Sequence, residues 1–141
     1  KKLYVGQANA SELGHTVILT KDKQARTIEE LVASKAFLKL SKQKIGRLLT
    51  ASEVFNLAEK GDKKAKEIFE EVGFYLGILF ANTANTLDIE AIVVGGGIST
   101  TWKYLKKPAI QTMNNLIVIP KKPKIIISST RDTTLLGAGK L

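Results

Sequence analysis

A long helical repeat leads directly into an apolar segment in the middle of the chain. From Asp62 to Leu87, apolar residues recur at steps of three and four, which is the spacing of one buried helix face. Asp62 is a typical helix N-cap, so we expect the helix to begin there. The apolar run Ala91–Val94 follows and predicts a buried strand. A strand that closely follows a long helix predicts helices packed against a sheet.

The other patterns alternate between strands and helices. Further strands are predicted at residues 3–7, 16–20 and 124–128. Further helices are predicted at residues 27–40, 50–61 and 102–116, the last with an interruption near Pro108. This alternation predicts an α/β domain with a mainly parallel sheet.

Local signals add detail to these helices. Thr27 with Glu30, and Thr50 with Glu53, have the spacing of capping boxes, in which hydroxyl and carboxylate satisfy exposed amides at a helix start. Gly73 lies one turn before another glycine within the long helix, and each glycine costs about 1 kcal/mol in helix propensity relative to alanine. We therefore expect another element to pack closely against this part of the helix.

Composition limits the class of protein. With 141 residues and 44% hydrophobic content, the chain is long enough for a single domain, residues 1–141, with its own core. It has no cysteine, which excludes disulfides and thiolate zinc sites. The most apolar window, residues 72–81, is too short to cross a membrane, and residues 1–6 do not resemble a secretory signal. We expect a cytoplasmic protein without membrane contact.

The net charge of +9 raises the question of nucleic-acid binding. Most of the cations are lysines spread along the chain, and no aromatic residues interleave with them to form a stacking platform. The pattern favours a solvated, lysine-rich surface. The alternative, a free-standing nucleic-acid binder, predicts an affinity for random DNA that falls steeply with salt.

Gly95, Gly96 and Gly97 follow the strand Ala91–Val94 and precede a predicted helix start. They are contiguous and therefore differ from the spaced dinucleotide fingerprint. Two interpretations remain open. The glycines form a tight turn without a ligand, or they let the backbone approach a nucleotide next to free helix amides.

The only histidine, His15, directly follows Gly14 and lies three residues after Glu12. Taken alone, it is either a structural histidine or a ligand-binding residue.

Three separate blocks, "KLYVGQANASELGH", "ANTANTLDIEAIVVGGGIS" and "DTTLLGAG", resemble the second half of the ROK family of bacterial sugar kinases and sugar-responsive transcriptional repressors. The family motif alanine-glycine-glutamate-aliphatic-glycine-histidine is matched by Ala10, Glu12, Leu13, Gly14 and His15, with serine in place of the first glycine. The resemblance implies an actin-like ATPase (ribonuclease H-like) lobe, in which helices flank a mixed, mainly parallel sheet.

The resemblance also implies site residues. Glu12 and His15 match the positions that hydrogen-bond sugar hydroxyls in the family, and Glu30 matches a second sugar-binding glutamate. For Glu30 the capping box with Thr27 is a competing interpretation, and both roles are compatible at different carboxylate oxygens. Residues 95–97 match the adenosine side of the nucleotide cleft. ATP and Mg²⁺ are the implied cofactors of the parent protein if it is a kinase.

The chain departs from the family in two ways. Most members have a cysteine-rich zinc loop after the histidine, which is itself a zinc ligand, whereas residues 16–34 contain no cysteine. Because one histidine cannot make a four-ligand zinc site, we expect no structural zinc and no other metal site. The family's first lobe, with its phosphate loop and general-base aspartate, also has no counterpart here. We expect the C-terminal lobe alone, without catalytic residues and inactive in isolation.

Two functions remain for the parent protein. It is an ATP-dependent kinase of a hexose or an N-acetyl amino sugar, or a sugar-sensing repressor that contacts DNA through a helix-turn-helix outside this chain. The expected partners are a small sugar, the N-terminal lobe and a second copy of the chain. Trp102 and residues 37–40 are candidates for a dimer interface.

Overall fold

The computed structural model describes residues 12–128. The strand predicted at residues 3–7, the first two positions of the histidine motif (Ala10 and Ser11) and the block "DTTLLGAG" lie outside the described residues.

Helices dominate the described part of the chain. They are a 3-10 helix at Leu13–His15 and the α-helices α1 (Ile28–Val32), α2 (Ser34–Ile45), α3 (Ala51–Glu59), α4 (Lys63–Leu87), α5 (Gly96–Thr100) and α6 (Trp102–Leu116). The strands are β1 (Val17–Leu19), β2 (Ala25–Thr27), β3 (Ala91–Val94) and β4 (Lys124–Ile127). Within this part of the chain, no helix is both long and apolar enough to span a membrane.

The strands form two small sheets. β1 and β2 are an antiparallel hairpin in which Val17 faces Thr27, whereas β3 and β4 are parallel, with Val94 opposite Ile127. The strand predicted at residues 16–20 is therefore present, but its partner β2 was not predicted. The hairpin turn holds Lys23 at φ 59°, a left-handed conformation for which the usual sequence signal is glycine or asparagine.

The predicted helix over residues 27–40 is wrong in one respect, because it is two helices. Ala33 has extended backbone, with ψ 179°, and separates α1 from α2. Its amide donates to the Glu29 carbonyl, and its carbonyl accepts from the Ala36 amide, both at 2.9 Å. The break redirects the chain, so that both helices bury apolar residues against α4.

Helix α4 is the centre of the core. It begins as predicted, with the Asp62 Oδ1 atom accepting a 2.9 Å hydrogen bond from the Ala65 amide. Its buried side chains contact α1, α2 and α3 on one side and α6 on the other. Those with at most 5% exposure include Ile68, Phe69, Val72, Leu76 and Phe80.

The expected close packing along α4 is confirmed at both glycines. A Cβ atom added to Gly73 would lie 2.5 Å from the Pro108 Cγ atom, and one added to Gly77 would lie 2.5 Å from the Ala109 carbonyl oxygen. The expected interruption at Pro108 is wrong, since α6 runs through it from Trp102 to Leu116. Proline removes one helical hydrogen bond, and here its ring fills the space that Gly73 leaves open.

Strand β3 is less buried than its apolar sequence predicted. Val94 is buried and Ile92 half-buried on the face toward the helices, whereas Val93 on the opposite face is 60% exposed. Ile126 on β4 is also exposed. Among residues 12–128, helices cover only one face of this strand pair, so the expected buried strand is buried only in part.

The residues considered for a dimer interface belong largely to the core. Trp102 and Phe37 are both buried, and Leu38 and Leu40 are half-buried. Trp102 packs against Phe80, with ring centroids 6.4 Å apart. Packing within the chain therefore explains the burial of Trp102 and Phe37.

Candidate functional site

The histidine motif forms a compact turn at the edge of the lobe. The His15 amide donates to the Glu12 carbonyl at 3.0 Å, and the Thr16 hydroxyl donates to the Leu13 carbonyl at 2.7 Å. The Thr16 carbonyl in turn accepts from the Ile28 amide at 3.0 Å, which ties the turn to α1. Glu12 and His15 are thus held close in the backbone, with both side chains exposed.

A carboxylate that the motif comparison missed lies beside the imidazole. The His15 Nε2 atom is 3.4 Å from the Glu29 Oε2 atom, and the two side chains are 64% and 57% exposed. Helix α1 approaches the turn closely at Gly14, where an added Cβ atom would lie 3.6 Å from the Glu29 Cβ atom. The family motif indicated Glu30, the next residue along the chain. Glu29 could have been placed near His15 only by predicting the β1–β2 hairpin.

Glu30, the glutamate that the sequence indicated, has a different environment. Its Oε2 atom accepts from the Thr27 amide at 3.0 Å, and its own amide donates to the Thr27 hydroxyl at 3.3 Å. The predicted capping box is therefore confirmed. The side chain lines a groove beside α2 and α4 whose lining includes neither Glu12 nor His15. A sugar contact by Glu30 stays a prediction.

The three glycines form the expected turn between a strand and a helix. Gly95 is extended at the end of β3, Gly96 has φ 63°, and Gly97 lies in the first turn of α5. A Cβ atom added at Gly96 or Gly97 would meet no atom of residues 12–128 within 4 Å, so within this part of the chain the backbone is open to a ligand. The positive φ favours glycine at position 96 whether or not a nucleotide binds.

The donor set does not fit the structural zinc of the family. The whole chain has no cysteine and one histidine, whereas structural zinc usually takes four ligands, mostly thiolate and imidazole. Among residues 12–128, no three acidic, cysteine or histidine side chains come together as a metal group. The turn is instead held by its backbone hydrogen bonds and by the approach of α1.

Two characterised proteins to which this chain is similar are sugar kinases. A glucokinase from Halalkalibacterium halodurans is 42% identical over 64 residues, which are 45% of this chain and 19% of the relative. An N-acetylmannosamine kinase from Yersinia pestis is 25% identical over 146 residues, covering 98% of this chain and 49% of the relative. The chain thus spans about half the length of this relative.

Solved structures show the same fold. A ROK family glucokinase from Streptomyces griseus, in complex with glucose and AMPPNP, superposes with a TM-score of 0.82 at 19% identity, covering 99% of this chain and 53% of that one. A ROK family transcriptional regulator, a homologue of the E. coli Mlc protein, gives 0.75 at 21% identity, covering 93% and 38%. The actin-like ATPase fold predicted from the sequence is therefore confirmed.

The match to the family is not limited to the histidine turn or the glycine turn. The sequence profile of the ROK family covers residues 1–141, and it therefore includes both of these turns. The chain belongs to the ROK family.

Proposed function

We propose that this chain is the C-terminal lobe of an ATP-dependent sugar kinase, in which Glu12 and His15 contact the sugar. The observation that carries the proposal is the histidine turn, which places Glu12 and His15 in one turn of backbone and leaves both residues exposed. The two characterised relatives described above are both sugar kinases. The proposed substrate class is a hexose or an N-acetyl amino sugar.

The chemistry of the turn suits a polyhydroxyl ligand. An ionised carboxylate at Glu12 accepts hydrogen bonds from two hydroxyls, and a neutral imidazole at His15 donates through one nitrogen and accepts through the other. The Glu29 carboxylate beside Nε2 favours a proton on that nitrogen, which leaves Nδ1 to accept from a sugar hydroxyl. We therefore assign to Glu29 the role of orienting the imidazole from 3.4 Å.

The nucleotide is assigned to the glycine turn. Open backbone at Gly96 and Gly97 permits close approach of the adenosine part of ATP, which supports the assignment by resemblance of residues 95–97. Phosphoryl transfer depends on positioning and on charge stabilisation around the γ-phosphate, and the resemblance to the family implies that another lobe supplies these groups. Magnesium and the general base are therefore assigned to that lobe, and this chain alone is proposed to be inactive.

A repressor is the second candidate, favoured by the likeness of the fold to a ROK transcriptional regulator. In that case the same turn senses sugar, and DNA is contacted through a helix-turn-helix outside this chain. For both candidates we propose a cytoplasmic protein that pairs with a second copy of itself.

The test is calorimetric titration of the full-length protein with glucose and N-acetylmannosamine, with and without ATP and Mg²⁺, combined with an assay of sugar phosphorylation. Turnover that falls at least about tenfold in His15→Ala supports the kinase, because a ligand-binding group is then lost. Sugar binding without turnover in the wild-type protein contradicts the kinase proposal and supports the repressor. Unchanged sugar affinity in His15→Ala contradicts the assignment of His15.

A further inference from the structure

A second concave site lies apart from the histidine turn. It is a groove of about 520 Å³ between α2, α4 and the β1–β2 hairpin. Small-molecule sites in proteins range from about 300 to 1,000 Å³ and combine an apolar body with a few polar groups. The groove has the size of such a site, and neither the glycine turn nor the histidine turn forms part of its lining.

The apolar part of the groove contains a tyrosine without a hydrogen-bond partner. Leu31, Leu40, Phe74 and Tyr75 line it, and the Tyr75 ring packs edge-on against Phe74 with centroids 5.2 Å apart. Tyr75 is 6% exposed, and within residues 12–128 its hydroxyl makes no hydrogen bond. Among these residues no fully buried side-chain oxygen or nitrogen lacks a partner, so the hydroxyl oxygen keeps some exposure and is available to a ligand in the groove.

Charged groups of the groove lie near Tyr75. Burial raises the pKa of Tyr75, and the nearby carboxylates of Glu71 and Asp22 raise this pKa further. Both carboxylates line the groove together with Tyr75.

Most of the charged side chains in the groove already have partners. Arg26 pairs with Asp22 at 3.2 Å, and Lys44 pairs with Glu71 at 3.3 Å. The Lys21 ammonium lies 5.7 Å from the centre of the Phe74 ring. The Glu30 carboxylate caps α1, as described above.

The charges that remain have opposite signs on opposite walls. Lys39 on α2 and Glu67 and Glu70 on α4 line the groove, and none of the three has an ion-pair partner among residues 12–128. A ligand with a single charge would pair with one wall only. A ligand that carries both charges would pair with both walls at once.

We propose that this groove binds a small zwitterion with an apolar body, of the size of a free aromatic amino acid or a dipeptide. Its anionic group pairs with Lys39, its cationic group with Glu67 and Glu70, and its apolar body covers Leu40 and Phe74. The Tyr75 hydroxyl hydrogen-bonds to a polar atom of the ligand.

The test is calorimetric titration of the full chain with L-phenylalanine and with L-leucyl-L-phenylalanine. For each probe, the N-acetylated form and the C-terminal amide serve as ligands with a single charge. We expect saturable binding of at least one zwitterion and about fivefold weaker binding of its two blocked forms, which is the effect of losing one ordinary polar interaction.

Two variants connect this binding to the groove. Tyr75→Phe keeps the ring and removes the hydroxyl, and Lys39→Met keeps most of the stem and removes the charge, so each should weaken zwitterion binding about fivefold. Tyr104→Phe and Lys107→Met on α6 are the matched controls, because neither residue lines the groove, and they should leave the affinity unchanged.

Three results would overturn the proposal. The first is that neither zwitterion binds, and the second is that the blocked forms bind as well as the zwitterions. The third is that the α6 control variants weaken binding as much as the groove variants. None of these results depends on kinase activity, so this test is separate from that of the proposed function.

Discussion

Single residues at the histidine turn show how a local motif acquires a partner from a distant part of the sequence. His15 and Glu12 are brought together by one turn of backbone, whereas Glu29 reaches the imidazole because the β1–β2 hairpin returns the chain. Two consecutive glutamates on α1 thereby have different environments. Glu29 lies beside His15, and Glu30 closes the capping box.

Replacing Glu29 tests whether it orients the imidazole. We expect Glu29→Ala to weaken sugar affinity of the full-length protein about 3- to 10-fold, because the neutral ring would then populate both tautomers. Glu29→Gln retains an oxygen that can accept from Nε2 and should recover most of the affinity. Nitrogen-15 NMR of the His15 ring measures the tautomers directly, and unchanged spectra in Glu29→Ala would contradict the role.

At the scale of elements, the contact between α4 and α6 shapes the lobe. Glycines at positions 73 and 77 lower the helix propensity of α4 and in return allow the backbone of α6 to lie directly against it. The same contact accommodates Pro108 in the middle of α6. The two glycines weaken α4 and the proline weakens α6. The single interface between these helices thus explains both features.

A methyl group at this interface should be costly. In Gly77→Ala, the added Cβ atom would lie 2.5 Å from the Ala109 carbonyl oxygen and 2.6 Å from the Thr112 Cβ atom, so α6 must shift. We expect the free energy of unfolding to fall by about 2–3 kcal/mol, as measured by urea denaturation. Gly97→Ala, where the new atom meets nothing within 4 Å, is the control and should change it by less than about 0.5 kcal/mol. Equal stability of the two variants would refute the close packing.

The capping box of α3 gives a second prediction for an element. The Thr50 hydroxyl accepts from the Glu53 amide at 3.3 Å, and the Glu53 carboxylate accepts from the Thr50 amide at 2.7 Å. Thr50→Ala should lower the free energy of unfolding by about 1 kcal/mol, measured by thermal or urea denaturation. Thr50→Ser retains the hydroxyl and should remain near the wild-type value, and a full loss in the serine variant would argue against the cap.

For the molecule as a whole, carboxylates at the surface link folding to pH. Hydrogen bonds from the Lys103 ammonium hold the pKa of Glu59 below its usual value, and a hydrogen bond from the Thr50 backbone amide lowers the pKa of Glu53. A carboxylate whose pKa is lower in the folded state stabilises the fold above its unfolded pKa. This stabilisation is lost as pH falls through the folded pKa.

We therefore expect the free energy of unfolding to decrease as pH falls below 4.5, the ordinary pKa of a glutamate. Urea denaturation between neutral and acidic pH measures this slope, and Glu59→Gln should reduce it because the pair with Lys103 is lost. Both carboxylates are exposed, so the effect should weaken in high salt. An identical slope in the variant would exclude Glu59 as a contributor.

The absence of a zinc donor set also has a consequence for the whole molecule. Treatment with EDTA should leave the melting temperature of the chain unchanged, because folding does not rest on metal binding. Elemental analysis of the purified chain should find no stoichiometric zinc. A melting temperature that falls with EDTA and returns with added zinc would show that the lobe does use the metal.

The sequence predicted the features that depend on interactions between nearby residues or on a contiguous motif. Both capping boxes, the Asp62 cap and the turn at Gly95–Gly97 depend on residues within a few positions of one another, and the structure has each of them where it was predicted. The family motifs extended this to the actin-like fold, because blocks in the right order imply a known topology.

Contacts between distant segments required the tertiary structure. The break at Ala33, the passage of α6 through Pro108 and the exposure of Val93 each depend on what packs against the segment, which no local pattern records. For the same reason, only the structure of the hairpin shows that Glu29 is a neighbour of His15. Hydrogen bonds near in sequence are encoded locally, whereas burial and ion pairs across the fold depend on where the chain returns.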